Sequence, residues 1–132
     1  TTFDGKQAYM QVRLDESWIP KTAFSTDTGH YEYLRAPFGL KNLPSDFSRL
    51  MFQAFGDMNF VRVYLDDVTV FSPTFGLHMQ HLRAIFQRLR EVVFKFNLKK
   101  CEFAMPEVKL LGHVVSGTEV RMDPAKVQTI AQ

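Results

Sequence analysis

Apolar positions along the chain change period several times, and each change marks an element boundary. Over residues 8–14, Tyr9, Gln11 and Arg13 alternate with Met10, Val12 and Leu14, the period of two expected of a half-buried strand. Residues 22–25 and 31–35 flank Asp27-Thr28-Gly29, a hairpin signal. Pro44-Ser45-Asp46 can open a helix, with Phe47, Leu50, Met51 and Ala54 on one face. Two β-prone runs, 60–64 and 68–71, surround Leu65-Asp66-Asp67 and read as a tight hairpin. After Ser72-Pro73-Thr74, the residues Leu77, Leu82, Ile85, Phe86, Leu89 and Val93 recur at helical spacing. Short extended runs follow at 102–104, 108–111 and 113–115. The order predicts an α+β fold, an antiparallel sheet with helices on one face.

Composition fits a chain that buries a core. Of 132 residues, 45% are hydrophobic and 23% charged, and the net charge is only +2, which excludes a disordered chain or a histone-like tail. The charge is uneven: residues 1–80 are mildly acidic, whereas 81–109 carry Arg83, Arg88, Arg90, Lys95, Lys99, Lys100 and Lys109. Such a division suits a metal on one side and a polyanion on the other, although charged helix and loop surfaces are the commoner reading. The single cysteine, Cys101, excludes an internal disulfide framework and a four-cysteine zinc site, and points to a reducing, intracellular setting. No basic-then-apolar leader opens the sequence. No apolar run approaches the ~20 residues that span a bilayer, so no membrane role is expected. Without a linker, repeat or low-complexity tract, residues 1–132 read as one domain.

Asp66 and Asp67 are the first candidates for chemistry. Adjacent carboxylates at a hairpin turn repel one another, and a hard divalent cation removes the conflict. An Asp-Asp pair taken alone is more often a solvated turn. Asp4 is the second candidate: if its strand pairs beside the hairpin, Asp4 and Asp66 face one metal pair, as two-metal phosphoryl-transfer sites require. The two lie 62 positions apart, so spacing leaves this open. The turn from Phe38 to Pro44 can present backbone amides to a phosphate or base, or simply punctuate the chain. His30, His78, His81 and His113 form no zinc set, and Cys101 has no His beside it in sequence to make it a nucleophile.

Read together, the segments carry more. Asp4, Ala8-Tyr9 and Gln11 are followed by Lys21-Thr22-Ala23-Phe24, Gly29-His30-Tyr31-Glu32-Tyr33 and Pro37-Phe38-Gly39-Leu40-Lys41-Asn42-Leu43-Pro44. Then come Tyr64-Leu65-Asp66-Asp67, His81-Leu82, Asn97-Leu98-Lys99-Lys100-Cys101-Glu102-Phe103, Leu111-Gly112-His113-Val114-Val115-Ser116 and the tail Met122-Asp123-Pro124-Ala125-Lys126-Val127. In this order the whole chain resembles the palm of a reverse transcriptase, most of all that of the Ty3/gypsy class of long-terminal-repeat retrotransposons.

The resemblance implies a palm-type sheet with a ferredoxin-like core and an RNA-directed DNA polymerase activity using Mg²⁺ or Mn²⁺. It implies Asp4 and Asp66 as metal ligands with the Gly5 carbonyl, and Asp67 in a weaker role. It implies Tyr9 as the aromatic gate under the incoming sugar, excluding a 2′-hydroxyl. Phe38 and Gly39 fall at the nascent base pair, Lys99 near the triphosphate and Tyr64 at the primer end. Leu111-Gly112-His113 matches the hairpin holding the primer's terminal phosphates. The implied partners are an RNA or DNA template-primer and dNTPs, in the cytoplasm or in virus-like particles.

The chain also departs from the family. Most of the fingers, the thumb and the RNase H segments have no counterpart in it, which leaves apolar faces open to self-association. Gly5-Lys6-Gln7 stands where many relatives have Leu and another turn, which predicts a looser Asp4. The competing reading is a catalytically inactive palm-like remnant that binds nucleic acid or assembles. A palm-like nucleotide cyclase is disfavoured because the Gly-Gly-acidic signature is missing.

Overall fold

The computed structural model describes residues 1–125. Lys126 and Val127 of the tail block lie outside the described residues. In chain order the elements are β1 (Thr2–Asp4), β2 (Phe24–Thr26), β3 (Gly29–Tyr31), α1 (Leu43–Phe55), β4 (Val61–Tyr64), β5 (Asp67–Val70), α2 (Phe75–Val92), β6 (Glu107–Leu110), β7 (His113–Ser116) and β8 (Val120–Met122). Short 3₁₀ turns occupy Ala8–Gln11, Pro20–Thr22 and Leu98–Lys100.

The central sheet is antiparallel in the order β1-β5-β4. Phe3 pairs with Val68, which pairs with Val63, and Val61 pairs with Val70. Strand alternation turns these apolar residues to one face. There they meet Phe47, Met51 and Phe55 of α1 and Leu82 and Ile85 of α2 in one core. Each fully buried side chain of this kind contributes about 1.5–3 kcal/mol. The same alternation sends Asp4, Asp67 and Tyr64 to the other face, away from the helices. The fold is thus α+β with both helices on one face, as the pattern predicts.

The helix boundaries follow local chemistry. Thr74 caps α2, its hydroxyl accepting from Leu77 N at 3.3 Å, and Val93 closes it at φ 55°. Arg88 of α2 grips the Asp57 carboxylate with two N–H groups, at 2.9 and 2.8 Å, and donates to the Ala54 carbonyl. That contact fastens α2 to the end of α1.

Several expectations are corrected. Residues 8–14 are not a strand: Ala8–Gln11 is a 3₁₀ turn entered through Gln7 at φ 46°. Tyr9 and Val12, three apart, both pack on the core, which is the 3₁₀ spacing. Leu50 is 44% exposed, because the buried stripe of α1 is Leu43, Phe47, Met51 and Phe55, one residue per turn. Val93 is 73% exposed for a different reason, since it leaves α2 as the left-handed cap. Of residues 102–104 only Glu102 pairs, in a single bridge to Thr2, and Ala104 at φ 50° ends the extension.

The antiparallel pairing is also divided. Besides the central sheet there are the hairpin β2-β3 and a separate sheet β6-β7-β8, whose last strand was not expected. Among the described residues no helix is long and apolar enough to cross a membrane.

Candidate active site

Three carboxylates come together where β1 ends and β5 begins. Asp4 is the register partner of Asp67, and Asp67 is in turn the partner of Tyr64. Asp66 sits in the two-residue turn between β4 and β5, after Leu65 at φ 51°. A non-glycine residue with positive φ is strained, and here the strain shapes the turn that carries the acid.

The next link of the chain holds the two halves together. Gly5 N–H donates to the Asp66 carbonyl at 3.1 Å, and Gly5 bridges Phe96. A Cβ on Gly5 would stand 3.0 Å from Ala8 Cβ, 3.2 Å from the Phe94 ring and 3.3 Å from Asp66 Cβ. The glycine therefore permits the close approach of β1 to the acidic turn and pins Asp4 there, the opposite of the looser position expected from the sequence.

Like charges crowd this end. The Asp67 carboxyl is pushed above its ordinary value first by desolvation and then by the charges of Asp66 and Asp4, with Lys100 opposing. Lys100 Nζ lies 3.5 Å from Asp4 Oδ2. Among the described residues no three His, Cys, Asp or Glu side chains close into a ready-made metal cage. The arrangement is an open acidic end, with oxygen donors and one ammonium.

The other expected residues divide into those brought near one another and those kept apart. Tyr9 packs edge-on against Phe38 at 5.5 Å and Phe47 at 5.2 Å. Phe38 is 74% exposed and presents its ring to solvent beside Tyr9. Gly39 takes φ 94° with open space around it, so its backbone conformation rather than crowding calls for glycine. Tyr64 ends β4 with half its surface exposed. Lys99 is exposed, and its backbone N–H is held by Asn97 Oδ1 at 3.3 Å. Leu111 and Gly112, at φ 51° and 79°, form the turn of the β6-β7 hairpin, and His113 opens β7 in the separate sheet. A groove of about 350 Å³ lined by Thr69, Val70, Ser72, His78, Val108 and Val115 lies at the far end of β5 from the carboxylates.

Two contacts near the acidic end escaped the sequence reading. Lys100, not Lys99, reaches the acidic end. Gln11 acts as a clamp: its Nε2 donates to the Lys6 and Lys95 carbonyls at 2.7 and 2.8 Å, and its Oε1 accepts from Lys95 N at 2.8 Å. It ties the turn carrying Tyr9 to the segment leading to Lys100. A lone Gln carries no signal for that. Asn97 did carry one, since Asn before a short helical turn is a capping residue.

The family described as "Reverse transcriptase (RNA-dependent DNA polymerase)" matches residues 1–115. The chain is 41% identical over 132 residues to the "Retrovirus-related Pol polyprotein from transposon 297" of Drosophila melanogaster, covering 98% of this chain and 12% of that polyprotein. It is 34% identical over 134 residues to that of transposon gypsy from the same organism, covering 100% of this chain and 13% of the relative. The chain thus spans about an eighth of such relatives. Its fold superposes with a TM-score of 0.89 on a foamy viral protease-reverse transcriptase in complex with an RNA/DNA hybrid, at 23% identity, over 99% of this chain and 18% of that one. With the family matched over most of its length, the chain belongs to the reverse transcriptase family, and Pol polyproteins of transposons are among its relatives.

Proposed function

We propose that this chain is the palm of an RNA-directed DNA polymerase, which adds deoxynucleotides to a primer 3′-hydroxyl by two-metal nucleotidyl transfer. The observation that carries the reading is the pairing of β1 with β5, which sets Asp4 opposite Asp67 beside the acidic turn. Asp4 and Asp66 are the metal ligands in this reading, with the Gly5 carbonyl, and Asp67 adds charge behind them. The donor chemistry fits: hard cations take carboxylate and carbonyl oxygens, and positive charge offsets the desolvation and the neighbouring like charges that raise the Asp67 pKa. When bound, Mg²⁺ or Mn²⁺ supplies an activated primer hydroxyl and neutralises the triphosphate.

The chain's own residues do the positioning. Tyr9, buttressed by Phe47, sits under the sugar of the incoming dNTP and leaves no room for a 2′-hydroxyl. Phe38 stacks on the nascent base pair, where the left-handed Gly39 lets the backbone come close. Lys99 holds the triphosphate, and Tyr64 meets the primer end. The Leu111-Gly112-His113 turn holds the primer's terminal phosphates. Exposed basic residues from Arg83 to Lys100 attract template and primer phosphates without regard to sequence. The solved foamy viral relative bound to an RNA/DNA hybrid supports such a partner. Fingers, thumb and RNase H segments come from the rest of a longer polyprotein, acting in the cytoplasm or in virus-like particles.

Primer extension on a primed RNA template, with dNTPs and Mg²⁺ or Mn²⁺, tests this. It compares wild type with Asp66→Asn in the chain and in a longer polypeptide that contains it. Extension that disappears with Asp66→Asn supports the reading. Absence of extension from both wild-type proteins, with nucleic-acid binding retained, favours the inactive remnant instead.

A further inference from the structure

The acidic end carries its own cation. Lys100 Nζ lies 3.5 Å from Asp4 Oδ2. The segment bearing Lys100 is built onto the residue it neutralises: Asn97 N–H donates to the Asp4 carbonyl at 2.9 Å, and Phe96 bridges Gly5. Asn97 then caps the 3₁₀ turn Leu98–Lys100. In such a turn successive side chains are about 120° apart, so Lys100 reaches Asp4 while its neighbour Lys99 forms no ion pair among the described residues.

We propose that Lys100 is a displaceable stand-in for the metal at Asp4. Its ammonium occupies the carboxylate until a divalent cation takes the same oxygens, and must withdraw when the cation arrives. The Lys100 side chain is 64% exposed and that of Asp4 28%, so the pair is held weakly enough to be released, as a buried pair would not be. The long flexible stem lets the ammonium leave without moving the backbone. Lys100 thereby keeps the acidic end tolerable without metal and lowers its affinity for a divalent cation. The inference rests on the metal reading above.

Mn²⁺ titration, with free Mn²⁺ followed by electron paramagnetic resonance, tests it on the chain and four variants: Lys100→Gln, Lys99→Gln, Asp4→Asn and Asp66→Asn. Circular dichroism melts establish that each is folded. Lys100→Gln is expected to bind Mn²⁺ about threefold to fivefold more tightly, the range of an exposed ion pair, and Lys99→Gln to stay within about twofold of wild type. Binding by Lys100→Gln that is no tighter than by Lys99→Gln overturns the proposal while leaving the metal site standing. Binding that survives both Asp4→Asn and Asp66→Asn unchanged overturns the metal reading, and the stand-in with it.

Discussion

The two ends of β1 and β5 are built on opposite terms. At the Thr1 end, polar groups satisfy one another inside the chain. Thr1 Oγ1 meets His78 Nε2 at 2.7 Å and accepts from Ala104 N at 2.8 Å. Ser72 Oγ meets His78 Nδ1 at 2.8 Å and His81 Nδ1 at 2.7 Å, and His81 lies flat on Phe60 at 3.8 Å. Thr1, Thr69 and His78 are all buried, and no buried side-chain polar atom among the described residues lacks a partner. At the Asp4 end, Asp4 and Asp67 face the exposed Lys100 ammonium while Asp66 adds a third carboxylate beside them. A folded chain leaves like charges together only at a cost, so the closed end reads as structure and the open end as a place for something that arrives from outside.

Substitutions should separate the two ends. The largest effect on folding is expected at the closed one. His78→Ala leaves the hydroxyls of Thr1 and Ser72 short of partners and opens a void, at a cost of about 2–3 kcal/mol in urea unfolding, while activity per folded molecule stays at wild type. The same histidine makes the closed end sensitive to acid. Desolvation lowers the His78 pKa in the folded state below 6.5. The unfolded chain takes up the proton first, so this contribution is fully present above pH 6.5 and falls away as the pH drops below it. A pH series of melts on wild type and on His78→Ala should show that slope in the first and its reduction in the second.

Gly5→Ala breaks the comparison, because it touches both terms. The added Cβ presses on Ala8, Phe94 and Asp66, so a loss of about 1–2 kcal/mol in stability should come with a larger loss of extension, as Asp4 moves away from the acidic turn. The smallest effect has the opposite sign. Asp67→Asn removes one of three crowded charges and should stabilise the folded chain by about 0.2–1 kcal/mol at pH 7. The gain should disappear in melts below the ordinary carboxylate value of 3.8, where Asp67 is protonated in both states.

What the sequence disclosed depended on range. The hairpin around Asp66 was legible because both its strands are β-prone and its turn is two residues long. α2 was legible from its spacing, though its buried face includes His78, which a hydrophobic pattern does not count. The pairing of Asp4 with Asp67 was not legible from spacing, because nothing near either residue encodes a contact across about half of the chain; the family resemblance brought Asp4 together with Asp66. Residues 8–14 misled because their alternation suits a strand, whereas Tyr9 and Val12, three apart, would lie on opposite faces of a strand and share the core face through the 3₁₀ turn. The contact of Lys100 with Asp4 was not legible either, because two adjacent lysines in a one-turn helix look alike in sequence and point in different directions.

The most direct measurement is primer extension by Asp66→Asn beside its own melting curve and nucleic-acid affinity. The expected result is a loss of extension of at least about 10³-fold with folding and template-primer binding intact. Extension that persists at the wild-type rate in the folded variant would contradict the assignment of the acidic end as the catalytic one.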